Sequence, residues 1–202
     1  MSRLGIDFFE SDDVVSISKS LLGKVLFSEN EEGITAGMIV ETEAYKAPED
    51  KASHAWNNRR TPRTEVMFGG AGIAYVYICY GIHHLFNIIT GPEDVPHAVL
   101  IRGIEPVLGH ELMLGRRKMT KLHPRLTAGP GSLSVAMAFH KRRTGMALYD
   151  EESSIWLEDH GSDIPESEVI ASTRVGVESA GESAKLPWRF RIKGNRWASP
   201  AK

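Results

Sequence analysis

The chain contains one cysteine, Cys79, so it cannot form an internal disulfide, and its composition fits a reducing compartment. No apolar run approaches the ~20 residues that a membrane-spanning helix requires, and nothing after Arg3 resembles the apolar core of a leader. These absences predict a soluble, unprocessed protein with no membrane partner, acting in the cytoplasm. A large excess of one charge is also missing: the formal net charge of −2 argues against a protein that coats nucleic acid indiscriminately. There is no Cys-x-x-Cys, no His-Glu-x-x-His and no His-x-Glu followed by Pro-Cys-x-x-Cys, so His54, His83 and His84 lack the companions of a zinc site and no metal is expected. Gly69-Gly70-Ala71-Gly72 has neither dinucleotide-binding spacing nor a P-loop lysine, so no nucleotide cofactor is expected either. Internal repeats and low-complexity segments are absent.

What is present suffices for one sizeable core, because 42% of the 202 residues are hydrophobic, and a single domain over residues 1–202 is expected. The charge is unevenly spread. Arg116, Arg117, Lys118, Lys121 and Arg125 cluster, Lys141, Arg142 and Arg143 form a run, and Lys185, Arg189, Arg191, Lys193 and Arg196 line the C-terminal part. Converging on one face, they would make a phosphate-binding footprint hidden by the whole-chain charge; dispersed, they are an ordinary solvated surface.

Asp12 and Asp13 precede an apolar-periodic stretch, which predicts a capped helix over Val14–Leu22 stopped by Gly23. A strand over Lys24–Phe27 and a turn at Glu31-Glu32-Gly33 lead to an alternating segment, Met38–Tyr45. Residues 46–62, polar and interrupted by Pro48 and Pro62, read as a loop or short helix. Strands are expected over Ile73–Tyr80, His84–Ile89 and Ala98–Ile104, with Gly81 closing a tight bend that leaves Tyr80 at a hairpin tip. Helices are expected over Glu111–Lys118 and Ser132–Phe139, and further strands over Ile155–Leu157, Val169–Val175 and Trp188–Ile192. The stretch after Gly194, and residues 197–202 in particular, reads as a ragged, flexible tail.

The segment Ile39–Asn87 carries the chemistry. Alternate residues of a strand share a face, so Glu41, Glu43 and Tyr45 project together. Two carboxylates at that spacing serve general acid/base work or are ordinary ion-paired residues, and the residue types alone leave both readings open. Tyr75, Tyr77 and Tyr80 are equally compatible with a stacking platform and with plain core. Arg102 is the one charge inside its strand and requires a partner.

Taken in order, these segments resemble the alkyladenine (3-methyladenine) DNA glycosylase family. The resemblance runs through Leu21–Leu26, Ile39–Tyr45 with Pro48-Glu49-Asp50, Arg59-Arg60-Thr61-Pro62-Arg63, Met67-Phe68, Tyr75–Gly81 and Asn87. It continues in Val99–Pro106, Leu126–Gly131, Arg174-Val175-Gly176, Gly181-Glu182 and Leu186–Phe190. It implies an α+β fold: one domain with a curved, mainly antiparallel sheet, surrounding helices and a protruding β-hairpin. It also implies a monofunctional glycosylase that excises alkylated or deaminated purines, 3-methyladenine and also hypoxanthine and ethenoadenine, from double-stranded DNA. Such an enzyme leaves an abasic site for base excision repair and needs no cofactor. The resemblance assigns Glu43 as the carboxylate that activates water, with Glu41 beside it, Arg102 positioning both water and carboxylate, and the backbone carbonyl of Val175 as a further acceptor for the water. Tyr45, His54 and Tyr77 would hold the extruded base, Asn87 would exclude guanine, and Tyr80 would fill the gap in the helix. Arg59, Thr61 and Arg63 become candidates for the DNA backbone.

His83-His84 and Ala55-Trp56-Asn57-Asn58 depart from the pattern and bear on lesion range, while the short N-terminus suggests a compact, bacterial-type, monomeric member. Two other readings compete: a module that binds distorted DNA without cutting it, and a small-molecule transferase or hydrolase using the acidic strand and aromatic pocket.

Overall fold

About a third of the molecule is built as strands, and the computed structural model describes residues 2–200. The first elements are β1 (Ser2–Arg3), α1 (Ile6–Phe9) and α2 (Val14–Ser20). Asp13 caps α2 as expected, its carboxylate accepting from the Ser16 N–H at 3.0 Å. The helix ends at Ser20 rather than Leu22, because Leu21 and Leu22 turn inward and are buried. The strands β2 (Val25–Asn30) and β3 (Gly33–Tyr45) pair in register from Val25↔Met38 to Asn30↔Gly33, a two-residue hairpin. Residues 46–68 form turns with two short 3-10 segments, Trp56–Asn58 and Glu65–Phe68.

The hairpin β4 (Ile73–Cys79) and β5 (His83–Thr90) follows, then the long strand β6 (His97–Leu108). After them come α3 (His110–Arg117), α4 (Pro130–Ala136), β7 (Ile155–Asp159), β8 (Val169–Ser172) and β9 (Arg189–Ile192). Helix α4 lies two residues upstream of its expected start, because Pro130 with its preset φ opens it, and Ala138 in the left-handed region prevents extension to Phe139. Strand β8 stops at Ser172 instead of Val175, since Arg174 and Val175 turn to bond Asp50 and Glu43.

The strands form one curled sheet in the order β1-β7-β2-β3-β6-β5-β4, with β8 joined through β9 to β3, and every pairing is antiparallel. This is the α+β architecture that the resemblance implied. The main core includes Phe9, Leu22, Leu26, Ile39, Phe86, Ile101 and Leu133, all at most 1% exposed. A smaller cluster of Ala55, Met67, Phe68, Tyr75 and Ile89 lies under the 46–68 segment.

Strand β3 positions the site. Its first half pairs with β2, its second half exchanges that partner for β9, and its register against β6 shifts between Ile39 and Thr42. Such a bulge re-aims the side chains beside it. The C-terminal stretch corrects an expectation: beyond Gly194 the chain is not loose, because Trp197 is 8% exposed in the core and Ser199 bonds Glu41. The remainder of that expected tail, residues 201–202, lies outside the described residues. No helix among the described residues is long and apolar enough to cross a membrane.

Candidate active site

Glu41 and Glu43 are both fully buried and bond Tyr45, Arg102 and Val175, which line a cavity of about 700 Å³, a size suited to a small planar ligand. A buried carboxylate is tolerated only when its oxygens are satisfied. Glu43 accepts from the Tyr45 hydroxyl at 2.7 Å and from the backbone N–H of Val175 at 2.8 Å, with Arg102 Nη1 3.4 Å away. Glu41 accepts from Arg102 Nε at 2.9 Å and Arg189 Nε at 2.7 Å. The pair that shares one face of β3 is thus bridged by one guanidinium, the partner that the buried charge of Arg102 required.

The two acids differ electrostatically. Burial raises the Glu43 carboxyl above its ordinary value; Arg102, the Val175 N–H and the Tyr45 hydroxyl oppose that effect without overcoming it, and the Glu41 charge adds to it. Burial also works to raise Glu41, but Arg102 and its hydrogen-bond donors outweigh burial and hold it below the ordinary range. One acid is therefore locked as an anion, whereas the other is displaced toward neutral pH, where a general base is most effective. Val175 reaches Glu43 through its N–H, a contact distinct from the carbonyl role expected of it.

Tyr45, His54, Tyr75, Tyr77, Leu85, Asn87 and Val175 line the cavity. Arg174 lies over the Tyr45 ring at 4.7 Å and over Trp188 at 5.3 Å, and its guanidinium pairs with buried Asp50. Sequence reading did not single out this buttress, although Asp50 and Arg174 both fell within recognised segments. Tyr75, two residues from Tyr77 and so on the same strand face, is 5.6 Å from it between ring centroids.

His54 bonds the Tyr75 hydroxyl through Nδ1 at 2.9 Å and meets Arg63 Nη2 through Nε2 at 3.2 Å. A guanidinium can only donate, so Nε2 accepts and the ring's single proton resides on Nδ1, directed at Tyr75. Burial, with Arg63 and Arg59 adding to it, pushes the imidazole down to about 4. His54 is thus neutral near pH 7, and its one ring proton is not free for a leaving group. Asn87, 3% exposed, donates both amide protons to the Tyr75 and Leu85 carbonyls, which fixes it as a rigid piece of wall.

At the cavity rim, β4 and β5 join through a tight turn with Tyr80 at φ 50 and Gly81 at φ 73, closed by the Ile82 N–H on the Cys79 carbonyl at 3.1 Å. These are the signs of a type I′ turn, which favours Asn-Gly. A tyrosine in the left-handed region is strained by about 1–3 kcal/mol, and such outliers concentrate at functional positions. Tyr80 is 87% exposed and Ile82 70%, an apolar tip in water.

The three backbone candidates diverge. Arg59 is exposed and forms no ion pair among the described residues, Thr61 shares its hydroxyl with Thr64, and Arg63, exposed as well, lies over the Tyr77 ring at 5.1 Å. Several cations of the basic clusters serve the fold: Arg116 holds Glu32 and the Ala136 carbonyl, Arg143 holds Ser28 and the Glu29 carbonyl, and Arg189 is buried. No cluster of three or more His, Cys, Asp or Glu that could hold a metal occurs among the described residues.

A family model described as methylpurine-DNA glycosylase matches residues 7–196. A protein of Chlamydia pneumoniae is 44% identical over 92% of each chain. One from Desulfitobacterium hafniense strain Y51 is 40% identical over 98% of this chain and 99% of its own, and one from Bacillus cereus strain G9842 is 40% identical over 95% and 96%. All three carry the provisional name 3-methyladenine DNA glycosylase.

Proposed function

The chain belongs to the methylpurine-DNA glycosylase family, and from that premise we propose that it hydrolyses the N-glycosidic bond of alkylated purines in double-stranded DNA, with Glu43 as the base. The enzyme is a DNA glycosylase, a hydrolase of alkylation repair. One observation carries the mechanism: a fully buried carboxylate, raised above its ordinary range, held between the Tyr45 hydroxyl and the Val175 N–H, both of residues that line an aromatic cavity.

In the proposed reaction Glu43 removes a proton from water, the oxygen bonds C1′ of the deoxyribose, and the C1′–N bond breaks with its electron pair passing to the base. A methylated purine carries positive charge and departs neutral, so one carboxylate suffices. Arg102 and the neighbouring backbone of Val175 keep that carboxylate and its water oriented. The flipped base stacks among Tyr45, His54 and Tyr77, each aromatic face worth roughly 1–3 kcal/mol, and electron-poor rings gain most. The immobile Asn87 amide excludes guanine by shape. Tyr80 enters the duplex and fills the gap left by the flipped nucleotide. Hypoxanthine and ethenoadenine leave as neutral bases and need a proton, which we assign to water because the His54 proton is committed to Tyr75. Of the backbone candidates, Arg59 meets a phosphate, while Thr61 and Arg63 shape the loop that does so. The enzyme works as a single-domain monomer, without cofactor, where bacterial chromosomal DNA lies, in the cytoplasm.

The test is single-turnover release from duplexes carrying 3-methyladenine, hypoxanthine or ethenoadenine, read as alkali-labile abasic sites. Wild type should yield sites on the methylated duplex and Glu43→Gln should not. Binding without abasic sites in the wild type would leave only the non-cutting DNA-binding reading.

A further inference from the structure

The acids behind the cavity wall are supported by a segment unrelated in sequence to the acidic strand. Asn195 donates to Glu105 Oε2 at 2.8 Å and accepts the Trp197 N–H at 2.8 Å, and Trp197 is buried in the core. The segment runs so close to β6 that a Cβ on Gly103 would lie 2.9 Å from the Trp197 carbonyl and 3.3 Å from Glu41 Cβ. Next, Ser199 gives its N–H to Glu41 Oε2 and its hydroxyl to Glu41 Oε1, both at 2.7 Å. Arg189 Nη2 donates to the Ser199 carbonyl at 3.1 Å, to its hydroxyl at 3.0 Å and to the Pro200 carbonyl at 3.3 Å. The hydroxyl therefore both receives a proton contact from Arg189 and passes one to Glu41.

We infer that residues 195–199 are a strap belonging to the catalytic machinery, and that Ser199 is a positioning residue acting through Glu41 and Arg102 on Glu43. This rests on Glu43 being the base proposed above. Glu41 touches neither cavity nor DNA in that reading, so its oxygens bear on the reaction only through where Arg102 points, beside the structural pair that they make with Arg189. With Ser199 in place, Glu41 is saturated and anionic, holds Arg102 by Nε, and leaves Arg102 Nη1 at 3.4 Å from Glu43, short of a tight pair. Without the Ser199 donors, Glu41 holds Arg102 less firmly; the guanidinium closes on Glu43 and weakens it as a base. The charged or titratable groups facing the two acids are Arg102 from β6, Arg189 and Arg191 from β9, Tyr45 on β3 and Tyr77 from β4. All three arginines are cations throughout the working range, which leaves the acids themselves as the groups that titrate.

Ser199→Ala removes the hydroxyl and Ser199→Thr keeps it. With enzyme saturating over methylated duplex, Ser199→Ala should lower the plateau excision rate about tenfold, the worth of one charge-assisted hydrogen bond. It should also move the acid limb of the rate to lower pH and leave DNA affinity unchanged, and Ser199→Thr should restore both rate and limb. Gly103→Ala, whose added Cβ crowds the Trp197 carbonyl most closely and Glu41 next, should reproduce the Ser199→Ala profile. An unchanged rate and acid limb in Ser199→Ala would overturn the inference, as would a loss shared equally by rate, DNA affinity and melting temperature that Ser199→Thr fails to restore. Titration of ¹³C-labelled glutamate carboxyls reads the same coupling without turnover: the Glu43 signal should titrate lower in Ser199→Ala, and an identical titration sinks the strap. A wild-type protein that releases no base, yet gives this shift, would instead sink the glycosylase assignment alone.

Discussion

Behind the cavity wall, Glu41, Glu43, Arg102 and Arg189 are almost wholly removed from water and each carboxylate oxygen accepts a hydrogen bond; at the β4–β5 tip, Tyr80 and Ile82 are 87% and 70% exposed on a strained turn. The buried cluster is rigid because an unpaired charge there is heavily penalised, so its groups hold one another in place. The tip keeps apolar surface in water and a non-glycine residue at φ 50, neither of which helps the free protein fold. In the proposed reaction that difference separates chemistry from binding: the first region would preset a base, and the second would give its surface and strain to the DNA.

Breaking the buried cluster should give the largest effect. Glu43→Gln should reduce single-turnover excision by about 10² to 10⁴-fold, the usual worth of a general base, while gel-shift affinity for lesion duplex holds. Glu41→Ala, which strands Arg102 and Arg189, should cost about 3–5 kcal/mol in urea unfolding, the penalty for breaking a buried ion network. At the tip, Tyr80→Ala should weaken lesion binding by roughly 1–3 kcal/mol with a normal melting temperature, and equal affinity in a titration would remove the wedge assignment. Tyr80→Asn sharpens the contrast: it suits the left-handed position and should stabilise the fold by about 1 kcal/mol in thermal melts while still losing affinity.

The smallest effect concerns pH. In the proposed reaction Glu43 acts as its carboxylate, so excision should fall as pH drops through its raised value, above the ordinary carboxylate range. The Tyr45 hydroxyl stabilises that carboxylate, so Tyr45→Phe should raise Glu43 further and shift the acid limb of the rate to higher pH. A shift to lower pH would mean that the hydroxyl serves some other end.

Elements with strong local signals were legible before any coordinates. Asp13 capped its helix, Tyr80-Gly81 turned the hairpin, and alternation put Glu41, Glu43 and Tyr45 on one side of a strand. Boundaries moved where distant groups intervened: β8 ends early because Arg174 and Val175 are drawn to Asp50 and Glu43, over 120 residues away in the chain. Residue type did not distinguish the structural members of the basic clusters, since Arg116, Arg143 and Arg189 are bound to carbonyls and carboxylates inside the protein. The tautomer of His54 is set by Arg63, nine residues on, and could not be read from residue type.

By itself, the order of residues determined the strands, the turn and the acid-aromatic pairing, because period-two alternation and left-handed turn preferences act between neighbours. Only the tertiary structure decided that Glu41 is held below and Glu43 above the ordinary carboxylate range, and that Ser199 donates to Glu41. Those outcomes depend on burial and on donors from β6, β9 and the C-terminal segment, and the free energy of a charge is set by what surrounds it in space.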